Sequence, residues 1–261
     1  MPEMMVTYEQ LCEGVEGLHS FIHLDAVDST NSYLRRLLDQ GEELEGVTLV
    51  VADSQTVGRG QKGNSWESED GKNLTFSLLC HPVFLKASEQ YLMSQIIALS
   101  VQEVLSTFTD GVTIKWPNDI YWNDKKISGT LIECDLKGKS ICNCIVGTGL
   151  NVNQTCFVSD APNPVSLQMI TGQEHDLCLL LKEVTKRFLY YYDWAAQGGG
   201  EAIRQRYKQC LYRRRGVYAY EDAEGAFDAT LLDVEDSGRL LLVDQENKVR
   251  RYEFKELKFI I

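Results

Sequence analysis

Apolar residues recur along this chain with two periods, and the changes from one to the other mark its elements. Residues 21–27 and 47–52 are short β-branched and aromatic runs of strand length, the second leading into a glycine-rich connector. Between them, Asp28-Ser29-Thr30-Asn31 offers several helix N-caps, and Tyr33, Leu34, Leu37 and Leu38 follow at helical spacing until Gly41. Residues 73–80 predict a further strand. Residues 91–108 predict a long helix with Leu92, Ile96, Leu99 and Val104 on one face. A strand over 112–116 is interrupted by Pro117-Asn118-Asp119, since proline cannot donate to a sheet ladder. Residues 120–122 and 127–135 read as a hairpin about the turn Asn123-Asp124-Lys125-Lys126, with Lys125 facing water. A strand over 141–146 then runs into Gly147-Thr148-Gly149-Leu150-Asn151. A second long helix covers 176–196, Gly198-Gly199-Gly200 breaks it, and a last helix covers 201–211.

Beyond that point the helical period is lost. Residues 217–220, 227–234, 240–243, 249–254 and 257–261 are short strands separated by turn residues. The pattern predicts an α/β (α+β) protein with two domains. Residues 1–212 form a mixed, largely antiparallel sheet flanked by helices, and 213–261 form a small β-barrel-like module, too small for a large core and docked on the first.

Composition changes this picture mainly by exclusion. The formal net charge of −12 opposes binding to a polyanion, so nucleic acid is a poor partner. The run Arg213-Arg214-Arg215 reads as a solvated linker face rather than a nucleic-acid patch. No stretch reaches the roughly 18 apolar residues of a membrane span. Residues 1–20 carry Glu3, Glu9, Glu13 and Glu16 where an export signal would be basic, then apolar. Eight cysteines without a C-x-x-C pair, with Cys142 and Cys144 alternating onto one sheet face, fit reduced thiols in a cytoplasmic protein. His19 and His23 lie in a strand-like run without a third ligand, which argues against a metal site there.

Candidate chemistry centres on Gly58-Arg59-Gly60-Gln61-Lys62-Gly63-Asn64-Ser65-Trp66. Glycine lets backbone N–H groups approach a ligand, and Arg59 and Lys62 add charge, so the loop is suited to an anion such as phosphate. Its spacing matches neither the nucleoside-triphosphatase P-loop nor the dinucleotide fingerprint.

Four segments stand together: Asp28 to Asn31; Gln55 with the loop from Gly58 to Trp66; Lys115-Trp116-Pro117-Asn118-Asp119 followed by Lys126-Ile127-Ser128-Gly129; and Gly147 to Asn153. In order and spacing, and with the all-β tail, they resemble the biotin protein ligases, the BirA-like family, over nearly the whole chain. The resemblance implies a class II synthetase-like catalytic domain with a small SH3-like β-barrel. It also implies a cytoplasmic, ATP-dependent enzyme that makes biotinyl-5′-AMP, releasing pyrophosphate, and passes biotin to a lysine of a biotin carboxyl carrier protein or carrier domain. Ser29, Thr30, Asn31, Gln55, Gly60, Gln61 and Lys126 would contact biotin, although Ser29 and Thr30 equally suit simple helix capping. Arg59, Gly60, Gln61, Lys62, Trp66, Lys115, Asn118 and Asn151 would hold ATP or the adenylate, with Arg59 and Lys126 offsetting charge in catalysis. Lys115 equally suits a strand residue paired with a surface acid, and Trp66 ordinary core packing. Asp119 is a candidate Mg²⁺ contributor, an Asp after Pro-Asn also being a common turn former.

Two departures qualify the likeness. The best-known bacterial member has arginine at the position of Gln61, so retention of the adenylate here rests on Arg59, loop closure and backbone donors. The 27 residues before Asp28 are too few for the DNA-binding domain that some members carry, so repressor activity is not expected. A homodimer is an expectation of the resemblance alone.

Overall fold

The computed structural model describes Tyr8 and residues 14–60, 65–159 and 163–261. The first half runs β1 (Leu18–Val27), α1 (Thr30–Asp39), β2 (Val47–Gln55), β3 (Leu74–Cys80), a 3-10 turn at Ala87–Glu89, and α2 (Tyr91–Leu105). Four strands follow, β4 (Val112–Lys115), β5 (Asp119–Trp122), β6 (Lys125–Lys137) and β7 (Ser140–Leu150). Three helices come next, α3 (Leu167–Thr171), α4 (Leu177–Ala196) and α5 (Gly200–Gln209). The chain ends in β8 (Tyr218–Asp222), β9 (Gly225–Val234), β10 (Leu240–Asp244), β11 (Val249–Tyr252) and β12 (Lys258–Phe259).

Seven strands form one sheet in the order β1-β2-β3-β7-β6-β5-β4, and five form a second in the order β11-β10-β9-β8-β12. Among the described strand pairs β1/β2 alone is parallel and the others are antiparallel, the mixed and largely antiparallel arrangement expected. Alternation along the central strands explains why helices lie on both faces. Val47, Leu49 and Val51 of β2, with Phe76 and Leu78 of β3, join α2, α4 and α5 in the large core. Val50, Leu79 and Ile145 turn the other way and bury Leu34 of α1. Burying a leucine contributes roughly 1.5–3 kcal/mol, which fixes α1 over the middle of the sheet.

Several expected boundaries move. The second long helix and the glycine break hold, with Gly199 at the N-cap position of α5. β6 already begins at Lys125, which is exposed as expected, so the hairpin turn is Asn123-Asp124. The final strand shrinks to two residues. α3 has no counterpart in the sequence reading: five residues are too few for a helical period, although Ser166 caps Met169 N at 3.2 Å and Gly172 closes it at φ +78°. The linker reading of Arg213 is corrected. Its guanidinium donates to Ala219 O at 3.2 Å and Ile260 O at 2.8 Å, stitching β8 to the C-terminal segment, while Arg214 and Arg215 are exposed.

The second sheet shares the large core. Tyr220, Leu240, Leu242, Tyr252 and Phe259 are buried in the same cluster as α2 and β4. Trp116 Nε1 donates to Gly238 O at 2.8 Å, its ring lies 5.3 Å from Phe254, and Lys208 of α5 pairs with Asp233 at 2.8 Å. Cys80, Cys134, Cys142, Cys144, Cys156 and Cys210 are free thiols. His23 meets Asp53 at 3.0 Å across β1 and β2. No described helix is long and apolar enough to cross a membrane.

Candidate active site

A cleft of about 710 Å³ opens on the α1 face of the large sheet, and its walls come from all four sequence segments named above. Ser29, at the start of α1, is extended (φ −161°) and its side chain makes no capping bond; its buried hydroxyl lines the cleft instead. Thr30 N and Thr30 Oγ1 both donate to Gln55 Oε1, at 2.8 and 3.2 Å. That fixes the Gln55 carboxamide and leaves its N–H donors for a ligand. Asp28 supplies no cap either. It takes both Arg36 nitrogens at 2.7 and 2.9 Å, and chiefly through that hydrogen bond its carboxyl is pushed down to about 2.

Asn31 is fully occupied by the protein frame. Ser77 Oγ lies 2.6 Å from its Oδ1, and its Nδ2 donates to Leu131 O at 3.3 Å and Glu133 Oε2 at 2.9 Å. The glycines of β6 and β7 make the space these groups occupy. A β-carbon at Gly147 would sit 2.0 Å from Asn31 Oδ1, and one at Gly149 would sit 2.2 Å from Trp66 Cε2. Gly129 is less crowded, its β-carbon position 3.1 Å from both Trp66 and Lys126. Trp66 therefore packs against a floor where Gly149 leaves no room for a side chain, a more particular place than ordinary core packing.

Four cations, Arg59, Lys115, Lys126 and Lys255, line the same cleft. Arg59 Nη2 pairs with Glu133 Oε1 at 3.1 Å, and its Nη1 reaches Ser32 Oγ at 3.4 Å. Lys126 Nζ pairs with Asp119 Oδ2 at 2.7 Å and stands 6.0 Å from the Trp66 ring centroid. Lys115 has no ion pair among the described residues; its ammonium lies 4.6 Å from the Phe259 ring and 5.2 Å from the Tyr121 ring. The surface-acid alternative for Lys115 is thus corrected. Burial pulls its pKa below the ordinary lysine value against the opposing pull of Asp119, and Lys126 and Arg213 lower it further.

Asn151 also lines the cleft. Its Nδ2 donates to Val165 O at 3.1 Å, and its buried Oδ1 has no protein partner, an acceptor left for a ligand donor. Gly60 is at the rim. Asn118 is not among the lining residues: it is buried with Nδ2 3.5 Å from Ser94 Oγ of α2. Gln61 and Lys62 lie outside the described residues.

Other lining residues were not anticipated from sequence. Lys255, Leu257 and Phe259 come from the second sheet's side, and no local pattern announces them. Glu67 ties the loop to the segment after β7, accepting from Ser159 N at 2.8 Å, Val158 N at 3.0 Å and Gln154 Nε2 at 3.0 Å. Burial raises its pKa, but those hydrogen bonds win and hold it below the usual carboxylate range. Glu133 stands behind the lining, against Arg59 and Asn31, and had a readable signal: it shares a strand face with Gly129, two pleats away.

With this geometry in place, residues 24–151 match the model of the Biotin/lipoate A/B protein ligase family. Over 244 residues the chain is 30% identical to the bifunctional ligase/repressor BirA of Bacillus spizizenii, covering 91% of this chain and 73% of that protein. It is 31% identical over 162 residues to the biotin--[acetyl-CoA-carboxylase] ligase of Paracoccus denitrificans, covering 59% of this chain and 65% of the other. Among solved structures, the biotin protein ligase from Aquifex aeolicus in complex with biotin and ATP matches with a TM-score of 0.73 at 27% identity, over 94% of this chain and 100% of that one.

Proposed function

This chain belongs to the biotin/lipoate protein ligase family, and from that premise we propose that it is a biotin protein ligase. It condenses biotin with ATP to biotinyl-5′-AMP and pyrophosphate, then transfers the biotinyl group to one lysine of a biotin carrier domain. The observation that carries the reading is a single cleft in which fixed amide and hydroxyl groups on a glycine floor share walls with four cations, Arg59, Lys115, Lys126 and Lys255. Its volume suits a ligand of this size.

Biotin offers an apolar bicycle, a neutral ureido ring and a carboxylate. Ser29 and the Gln55 amide supply hydrogen-bonding groups of the kind the ureido ring needs, in positions fixed by Thr30 and Ser77. Attack of the carboxylate on the α-phosphorus brings two anions together. Arg59, Lys115 and Lys126 offset that charge as the acyl–phosphate bond forms and the bond to pyrophosphate breaks. Asn151 Oδ1 is left as an acceptor for an adenosine N–H or hydroxyl.

Asp119 gives one oxygen to Lys126 and keeps the other, which fits a Mg²⁺ that takes one or two carboxylates with phosphate oxygens and water. Such an ion, arriving with ATP, would supply further positive charge to the phosphates. In the second half-reaction the acid is already activated, so the lysine amine needs orientation and loss of a proton rather than an enzyme nucleophile. Residues 1–212 carry the chemistry, and 213–261 close the cleft through Lys255, Leu257 and Phe259. The excess of negative charge disfavours a DNA-binding role.

Incubation with biotin, Mg²⁺-ATP and a biotin carrier domain, followed by intact mass measurement, tests the proposal. One biotinyl addition that requires ATP is expected. No addition with biotin, or addition only when lipoate replaces it, would overturn the reading.

A further inference from the structure

The inference rests on the ligase reading above and concerns a residue with no role in it so far. Glu133 touches both halves of the cleft at once. One carboxylate oxygen accepts from Asn31 Nδ2 at 2.9 Å, and the other meets Arg59 Nη2 at 3.1 Å. Asn31 sits on α1 and is clasped from below by Ser77, while Arg59 also reaches Ser32 on the same helix. One pleat further along β6, on the same face, Asp135 grips Arg35 of α1 at 2.7 and 2.8 Å. Thus α1 is fastened to β6 at two successive same-face positions, and Glu133 is the one that borders the cleft through both of its partners.

We propose that Glu133 is a positioning residue for adenylate formation. It sets the Arg59 guanidinium relative to the wall built by Asn31 before nucleotide arrives, so that the phosphate cation and the vitamin pocket keep a fixed separation. The Arg59–Glu133 pair is partly exposed, with side chains 45% and 28% accessible, so its contribution to folding is small. Its effect falls on geometry, where a misplaced cation costs rate steeply.

Glu133→Gln and Glu133→Ala separate the two contacts. The glutamine carbonyl still accepts from Asn31 but no longer holds Arg59 by charge; alanine removes both contacts. In Glu133→Gln, biotin affinity measured by calorimetry without ATP should stay within about twofold, while single-turnover pyrophosphate release slows about tenfold. In Glu133→Ala, biotin affinity should fall as well, by about fivefold or more. Combining Glu133→Gln with Arg59→Ala should slow adenylate formation no further than Arg59→Ala alone, because both changes disable one unit.

Unaltered pyrophosphate release in Glu133→Gln, or full additivity with Arg59→Ala, would overturn the inference while leaving the ligase reading intact. A wild-type protein that binds no biotin would remove both. Glu133→Asp, which keeps the charge on a shorter arm, should recover part of the lost rate, a rescue that a merely structural role does not predict.

Discussion

Two walls of the same cleft are built in opposite ways. Behind residues 115–119 the ties run into the core. Pro117, joined to Trp116 by a cis peptide bond, offers its carbonyl to Tyr91 Oη at 3.1 Å and Tyr207 Oη at 2.8 Å, and the two buried phenols lie 2.7 Å apart. Burial raises the pKa of both, which keeps them protonated as donors. Across the cleft, the ties of the Gly58–Trp66 loop go to groups that themselves line the cleft or border it. Among the described loop residues they include Arg59 to Glu133 and to Ser32, the Trp66 ring to Gly149, and Trp66 N to Gly58 O at 2.9 Å. One wall is held by the fold, the other by the site. Damage behind the first should therefore appear as lost stability, and damage to the second as lost ligand chemistry.

The sharpest break in that contrast would come from Tyr207→Ala. Tyr207 is fully buried between α2 and the 115–119 segment and does not line the cleft. Removing its ring should cost about 3–5 kcal/mol in chemical denaturation, with biotin affinity of the folded fraction changed only a few-fold. An equal loss of affinity and little loss of stability would mean that the walls are not distinct.

Gly149→Ala probes the other wall and should have the next largest effect. Its β-carbon would displace the Trp66 ring, because the floor cannot recede without breaking the Gly149 ladder between β3 and β6. Adenylate dissociation, followed by quench-flow or mass measurement, should quicken about tenfold or more, while stability falls by only about 1–3 kcal/mol. Unchanged dissociation would show that Trp66 does not cover the ligand.

The two walls also differ in how far they could be read from sequence. The loop's glycines and cations announce an anion site by local chemistry, and the buried strands of the large sheet announce themselves by runs such as residues 47–52. The second-sheet residues that close the cleft were not readable, because Phe259 meets Lys115 across 144 positions of sequence and no spacing rule connects them. Gly147 and Gly149 read only as the segment a buried strand runs into, yet the space they leave is the clearance that Asn31 and Trp66 require. Ser29 and Thr30 left capping and binding equally open, and the absence of a capping bond at Ser29 sets aside the first reading there. Asn118 sits in a motif, but its surroundings were not readable: its Nδ2 lies 3.5 Å from Ser94 Oγ of α2, and its buried Oδ1 has no partner among the described residues.

Lys115 offers the smallest and most discriminating effect, since it belongs to the fixed wall yet carries charge for the chemistry. Its ammonium is half-buried against two aromatic rings without a carboxylate partner, so the fold tolerates this charge rather than requiring it. Lys115→Met should leave the protein as stable or more stable, by about 1 kcal/mol at neutral pH, while slowing pyrophosphate release. The pH dependence fixes the sign. Burial lowers the folded-state pKa below the unfolded value, so the unfolded chain binds the proton more tightly. The penalty for burying the charge is complete below the folded pKa and fades as pH climbs towards the ordinary lysine value. The advantage of Lys115→Met should therefore shrink across that alkaline window in denaturation curves taken at successive pH. A methionine variant that is less stable at neutral pH, or whose advantage grows with alkalinity, would show that the aromatic rings stabilise the ammonium more than burial penalises it.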